Sequence, residues 1–94
     1  MMQTEDIRIG PEGLGGFLTV PDKARGLIIF AHGSGSSRHS PRNAYAARSF
    51  EQLGFATLLF DLLTEGEAGD RRNVFDIALL AKRVVLAVDW ARQQ

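Results

Sequence analysis

The chain has 94 residues, of which 45% are hydrophobic and 23% charged, with eleven basic side chains balancing eleven acidic ones. That length holds one domain at most, and such a domain buries only somewhat over roughly 60% of the surface its unfolded chain exposes. Zero net charge offers no field for nucleic acid or an anionic membrane, and the absence of cysteine excludes disulfides, thiolate chemistry and cysteine-based zinc sites.

The first ten residues, MMQTEDIRIG, lack the basic segment and apolar core of a signal peptide. No uncharged apolar run approaches the ~20 residues of a membrane span. We therefore expect a cytoplasmic protein, with little charge repulsion to oppose self-association.

Residues 5–10 alternate, Ile7 and Ile9 pointing one way and Asp6 and Arg8 the other, as in a half-buried strand. GPEG at 10–13 is a turn, and LGGFLTV at 14–20 is a second strand, so the two predict a hairpin. After a polar loop at 21–26, LIIFA at 27–31 is continuously apolar, the pattern of a strand covered on both faces in a parallel sheet.

A glycine-serine loop follows. Ser40 and Pro41 then read as an N-cap and first helical residue, and Gly54 suits the left-handed position past the helix end. Ala44, Ala47 or Arg48, Phe50 and Leu53 would share one face of that helix. FATLLF at 55–60 is a second doubly buried strand ending at Asp61, and 64–70 reads as an acidic loop. Asn73, with Asp76 three residues on, resembles the cap of a helix running to Gln94. Its stripe would be Ile77, Leu80, Ala81, Val84, Val88 and Ala91, with Lys82, Arg83, Asp89 and Arg92 off it. Strand-helix-strand with two apolar strands predicts a βαβ unit and an open α/β sheet.

Three chemistries compete for the loop HGSGSSRHS at 32–40. The phosphate-loop pattern fails for want of its lysine, and the dinucleotide pattern begins at Gly33 and Gly35 but meets Arg38 where a third glycine belongs. Arg38 and Arg42 near a helix start still leave room for an anion. The nucleophile elbow G-x-S-x-G comes closest at Ser37, where His39 fills a place that needs a small residue; serines in a glycine-rich loop are more often turn formers, bonded to their own backbone. The third reading is an oxyanion loop. A buried strand ending in His32-Gly33-Ser34-Gly35 before a helix can aim main-chain N–H groups at a developing negative charge.

The succession LIIFAHGSGSSRHSPRNAYAARSFEQLGFATLLFDLL resembles the early part of small α/β-hydrolases of the dienelactone-hydrolase-like group, over about residues 26–92. The resemblance implies the N-terminal half of an α/β-hydrolase fold: residues 1–25 as the hairpin and 26–94 as a strand-helix-strand-helix portion of one incomplete, mostly parallel domain. It places strand 55–60 between the second strand and strand 27–31. It implies that Ser34 offers its backbone N–H to the oxyanion, that Gly33 permits the approach, and that His32 steadies the loop without being the catalytic base. Asp61 would shape the rim of the site. His39, Arg38 and Arg42 are expected to be solvated, Arg71 and Arg72 to answer Glu65, Glu67 and Asp70, and Tyr45 and Trp90 to pack.

The G-x-S-x-G or cysteine elbow, the acid and the histidine of a triad are not among these 94 residues. The expected function is therefore the N-terminal portion of a hydrolase acting on an ester or lactone carbonyl in the complete protein, the chain alone being inactive. No cofactor and no metal are expected. The expected partners are the small-molecule ester or lactone, and either self-association or a chain carrying the missing half at the bare edge of strand 27–31. The competing reading is a non-catalytic small-molecule-binding or interaction module on the same α/β scaffold.

Overall fold

A computed structural model describes residues 3–30 and 38–94. Strands β1 (Gln3–Ile9) and β2 (Leu14–Val20) pair antiparallel from Gln3↔Val20 to Ile9↔Leu14. The turn between them closes with the Gly13 N–H donating to the Gly10 carbonyl at 3.0 Å. Gly10 and Gly13 both take positive φ, which side chains with a Cβ rarely adopt. This is the hairpin expected from the alternation of Ile7 and Ile9.

Strand β3 (Leu27–Phe30), helix α1 (Pro41–Gln52) and strand β4 (Ala56–Phe60) follow. β4 inserts between β2 and β3, antiparallel to the first and parallel to the second, giving the order β1-β2-β4-β3. The α/β architecture and the placement of β4 agree with the sequence. All five residues of β4 are buried, as its unbroken apolar run predicts. Among the described residues β3 lies at the edge of the sheet, where the resemblance places it, but it is not covered on both faces as its apolar run predicts: Ile28 to Phe30 are half-buried and Leu27 is exposed, because no strand shields its outer side.

Helix α1 begins as its cap residues require. The Ser40 Oγ accepts from the Asn43 N–H at 3.4 Å, and Pro41 occupies a position whose N–H has no helical partner. It ends with Gly54 at φ 93°. Ala47 is buried, whereas Leu53 and Tyr45 are exposed, contrary to the packing expected of them. Leu53 caps the last turn and so falls past the face that Ala47 and Phe50 present to the sheet.

The C-terminal third differs most from the sequence reading. The acidic stretch is helix α2 (Glu65–Ala68), closed by a capping box in which the Glu67 N–H donates to Thr64 and the Thr64 N–H to the Glu67 carboxylate. Helix α3 (Arg71–Val74) is capped by Asp70, and helix α4 (Ile77–Arg92) by Asp76. Asn73 caps neither; its amide donates to the Glu67 carbonyl at 3.1 Å and ties α3 to α2.

The sheet carries α4 on one face and α1 on the other. Ile9, Leu14, Leu58 and Phe60 form the first face and pack with Leu62 and Ala87. Leu80, Val84, Leu86 and Trp90 of α4 close over them. The buried stripe of α4 is thus rotated from the expected one: Ile77 is exposed, and Arg83 is buried on the core side. Register places Phe17, Thr57, Leu59 and Phe30 on the second face. There Phe50 of α1 lies 6.2 Å from Phe30 and 6.5 Å from Phe55, ring centre to ring centre.

Candidate functional site

Open α/β sheets bind ligands outside the carboxyl ends of their parallel strands. Here that rim is built by the ends of β3 and β4, together with the start of β2, which runs the other way. His32, Gly33 and Ser34, the expected oxyanion residues, lie outside the described residues. The two points from which their segment departs and returns are described.

The departure point is Phe30, paired with Leu59 of β4. The return point is Arg38, held on Asp61 just beyond the end of β4. The Arg38 main-chain N–H donates to Asp61 Oδ1 at 2.7 Å, and the Arg38 Nη1 donates to Asp61 Oδ2. One carboxylate thus binds both the backbone and the side chain of a residue 23 positions earlier. Asp61 is itself fixed to the sheet, its N–H donating to the Gly15 carbonyl at 2.9 Å.

The Arg38 side chain lies flat where the sequence predicted a solvated loop residue. Its guanidinium carbon stands 5.1 Å from the centre of the Phe17 ring, and its side chain retains only 18% exposure. Gly15 makes the space. A Cβ at that position would stand 2.7 Å from Arg38 Nη1 and 2.9 Å from Nη1 of Arg8, the β1 residue paired with it. Arg38 Nε is buried with no hydrogen-bond partner among the described residues. His39 is exposed yet meets Phe17 edge-on at 5.4 Å, so it is not simply solvated, whereas Arg42 is exposed as expected.

The acidic segment after β4 is held by a second charge pair. Arg83 of α4 donates to both oxygens of Glu67 at 2.8 and 2.7 Å and to the Leu62 carbonyl at 3.1 Å. The Arg83 hydrogen bond, then the Thr64 main-chain N–H, holds the Glu67 carboxyl down to about 2 from an ordinary 4.5. The same bond raises the Arg83 guanidinium further. Arg72 pairs with Asp70, as expected, and that bond lowers the Asp70 pKa. Arg71 instead rests over the Phe75 ring, and Glu67 answers Arg83 rather than either of them.

The expected site residues and the observed ones are therefore complementary. Asp61 stands at the rim, as the end of a parallel strand should. Its partner was not foreseen, because no local pattern joins residues this far apart in sequence. The readable signal was Gly15 beside Gly16 within a strand, which marks close approach by another group. Among the described residues no group of three or more histidine, aspartate or glutamate side chains could hold a metal ion, and no helix is long and apolar enough to cross a membrane.

No family model matches the chain. It is 53% identical over 95 aligned residues to proteins of two Mycobacterium tuberculosis strains, CDC 1551 and H37Rv, each provisionally named a phosphoribosyl transferase. The alignment takes in 99% of this chain and 21% of each mycobacterial protein. Among solved structures it is similar to the dienelactone hydrolase of Anabaena variabilis, with 48% identity and a TM-score of 0.85 over 96% of this chain and 44% of that one. The chain thus spans less than half the length of each of these relatives. Over nearly all of its own length it shares the α/β fold of the matched part of the hydrolase.

Proposed function

We propose that residues 1–94 supply the oxyanion side of an α/β-hydrolase-type site, for hydrolysis of an ester or lactone carbonyl in a protein that also carries the nucleophile and its base. The Ser34 N–H is the donor, Gly33 gives the carbonyl access, and His32 steadies the loop. One observation carries this reading. The His32-Gly33-Ser34-Gly35 segment lies in sequence between Phe30, in register with Leu59 of β4, and Arg38, bound to Asp61 just beyond the end of β4, in a chain 48% identical to a dienelactone hydrolase. A donor held there can lower the barrier only when a nucleophile attacks nearby, and the triad residues are absent from the 94.

The name of the mycobacterial relatives does not redirect this reading. Their match to this chain covers 21% of their length, and this stretch lacks the phosphate-loop pattern. We assign any phosphoribosyl transfer to the rest of those proteins. In the same proposal the outer edge of β3, paired on one side only among the described residues, receives a strand from a second copy or from a chain bearing the remaining catalytic groups.

The test is a chimera in which residues 1–94 replace the matched part of the Anabaena hydrolase. It should hydrolyse a dienelactone or an aryl ester. Ser34→Pro, which removes the N–H, should lower kcat by about 10²–10³ with little change in KM, the usual loss for one oxyanion donor. Ser34→Gly, which keeps the N–H, should retain activity. An active chimera indifferent to Ser34→Pro refutes the assignment and favours a non-catalytic binding role. The chain alone should show no turnover, and its sedimentation should report concentration-dependent association.

A further inference from the structure

We propose that the outer edge of β1 pairs with the same edge of a second copy, so that two chains share one sheet about a two-fold axis at Ile7. The inference is independent of the hydrolase reading and concerns the edge of the sheet opposite β3. Among the described residues β1 has a strand on one side only, and Gln3 to Asp6 and Arg8 are exposed. The Gly15 carbonyl accepts from the Asp61 N–H, so the main-chain groups of Gly15 point toward β4. In an antiparallel pair, opposed residues point these groups either at each other or away from each other. Arg8, opposite Gly15, therefore points its N–H and carbonyl outward, as do Asp6 and Thr4 by alternation. Such an unpaired row is a template for a further strand.

The side chains decide which strand it accepts. Thr4, Asp6 and Arg8 lie on one face of β1, and Glu5, Ile7 and Ile9 on the other. Charges on an edge strand ordinarily discourage pairing. A two-fold axis at Glu5, Asp6 or Arg8 does so here, since each would face its own copy, and like charges directly opposed are destabilising. An axis at Ile7 reverses the outcome. It sets Asp6 against Arg8 of the second copy and Arg8 against its Asp6, as hydrogen-bonded pairs through the outward main-chain groups. On the other face the half-buried Ile7 meets its counterpart. The strand is thus complementary to itself in that register and repulsive in the neighbouring ones.

Both charges can enter such pairs. Among the described residues neither Asp6 nor Arg8 makes a salt bridge or a side-chain hydrogen bond. Arg8 Nη1 instead lies beside Nη1 of Arg38: a Cβ on Gly15 would stand 2.9 Å from the first and 2.7 Å from the second. Arg38 is answered by Asp61, and Arg8 is left as one guanidinium next to another, with no carboxylate of its own among the described residues. The second copy's Asp6 supplies that carboxylate directly across the new pair. A charge that the single chain leaves unanswered is thereby met.

Two charge reversals test the register. Every copy of Asp6→Arg presents arginine at both positions, and every copy of Arg8→Asp presents aspartate at both. Each variant alone should raise the dimer dissociation constant at least about tenfold, read by sedimentation equilibrium over a concentration series. An equimolar mixture of the two, and the double variant Asp6→Arg/Arg8→Asp, should associate as the unaltered chain does. Association through the β3 edge would leave all of these alike. Three results overturn the proposal: an unaltered chain monomeric throughout the series, single variants that associate normally, or a mixture no tighter than its components.

A second readout needs no change of charge at Asp6 or Arg8. The chain has no cysteine, so introduced thiols report position. Ile7→Cys sets two of them across a non-hydrogen-bonded pair, Cα to Cα about 4.5 Å, within disulfide reach. Glu5→Cys sets each thiol opposite Ile9 of the other copy, roughly 14 Å from its mate and beyond reach. Mild oxidation should give a disulfide-linked dimer of Ile7→Cys and little of Glu5→Cys. Equal yields from the two, or none from Ile7→Cys, overturn the proposal.

Discussion

The two faces of the sheet solve the same packing problem with different materials. Toward α4, Ile9, Leu14, Leu58 and Phe60 meet Leu62 and Ala87 in an apolar core, with Arg83 alone among charged side chains buried beside it. Toward α1, the same strands present Thr57, Leu59 and Phe17. There the covering groups include Glu51, bonded to the Thr57 hydroxyl, and Arg38, spread on Phe17 and held by Asp61. The first face supplies stability through area removed from water, a term that tolerates variation in direction. The second relies on directed bonds, which fix positions. The candidate site stands at the end of the second face, where position is what the proposed chemistry needs.

Adjacent residues of β4 give the sharpest way to break this comparison. Phe60 points into the α4 core with no exposure, and Leu59 points toward α1 with 8%. Phe60→Ala should cost about 3–5 kcal/mol of unfolding free energy, the range for a buried aromatic lost to a cavity. Leu59→Ala should cost less, at the lower end of about 2–5 kcal/mol, because its neighbours include hydrogen-bonded groups near solvent. Urea unfolding of the two variants checks the order. If Leu59→Ala proves the more damaging, the α1 face carries the principal core, and the contrast drawn above fails.

How much of each face was legible follows from what kind of contact builds it. Apolar pattern is written along the chain itself: the alternation of Ile7 and Ile9, the runs at β3 and β4, and the Ser40-Pro41 and Gly54 signals at the ends of α1 all led to the observed elements. Directed polar contacts are written in pairs, and the partner of a charge is not marked locally. Arg38 and Arg83 both resembled solvated residues, yet each is covered and bound to a carboxylate, one beyond β4 and one in α2. The helices α2 and α3, four residues each, were too short to show a period. Their signals were the caps, Thr64 with Glu67 and then Asp70, which are legible only when caps are sought before periodicity. Of the candidate rim, Asp61 and the strand ends were legible, and the bond between Arg38 and Asp61 was not.

The Arg83–Glu67 pair is the exception on the α4 side, since its arginine enters the edge of the apolar face. Arg83→Met keeps the stem and removes the two bonds to Glu67 and the one to the Leu62 carbonyl, so a loss of about 1.5–3 kcal/mol is expected. The pair also sets a pH window. The folded Glu67 carboxyl lies near 2, below its ordinary 4.5. Its contribution is therefore fully present above the ordinary value and is lost as pH falls from 4.5 through about 2. Urea midpoints measured across that interval should fall more steeply in the unaltered protein than in Glu67→Gln. Parallel curves would mean that Arg83 is held by packing alone.

The smallest expected effect tests the α1 face away from the rim. Thr57 is 1% exposed, and its hydroxyl donates to the Glu51 carboxylate at 2.5 Å. Thr57→Val preserves shape and β-branching and deletes only the donor, so about 0.5–1.5 kcal/mol should be lost. Urea unfolding of Thr57→Val beside Phe60→Ala checks it. A loss as large as that of Phe60→Ala would mean that directed bonds on the α1 face carry as much stability as the apolar face toward α4, and the contrast between the two faces would fail.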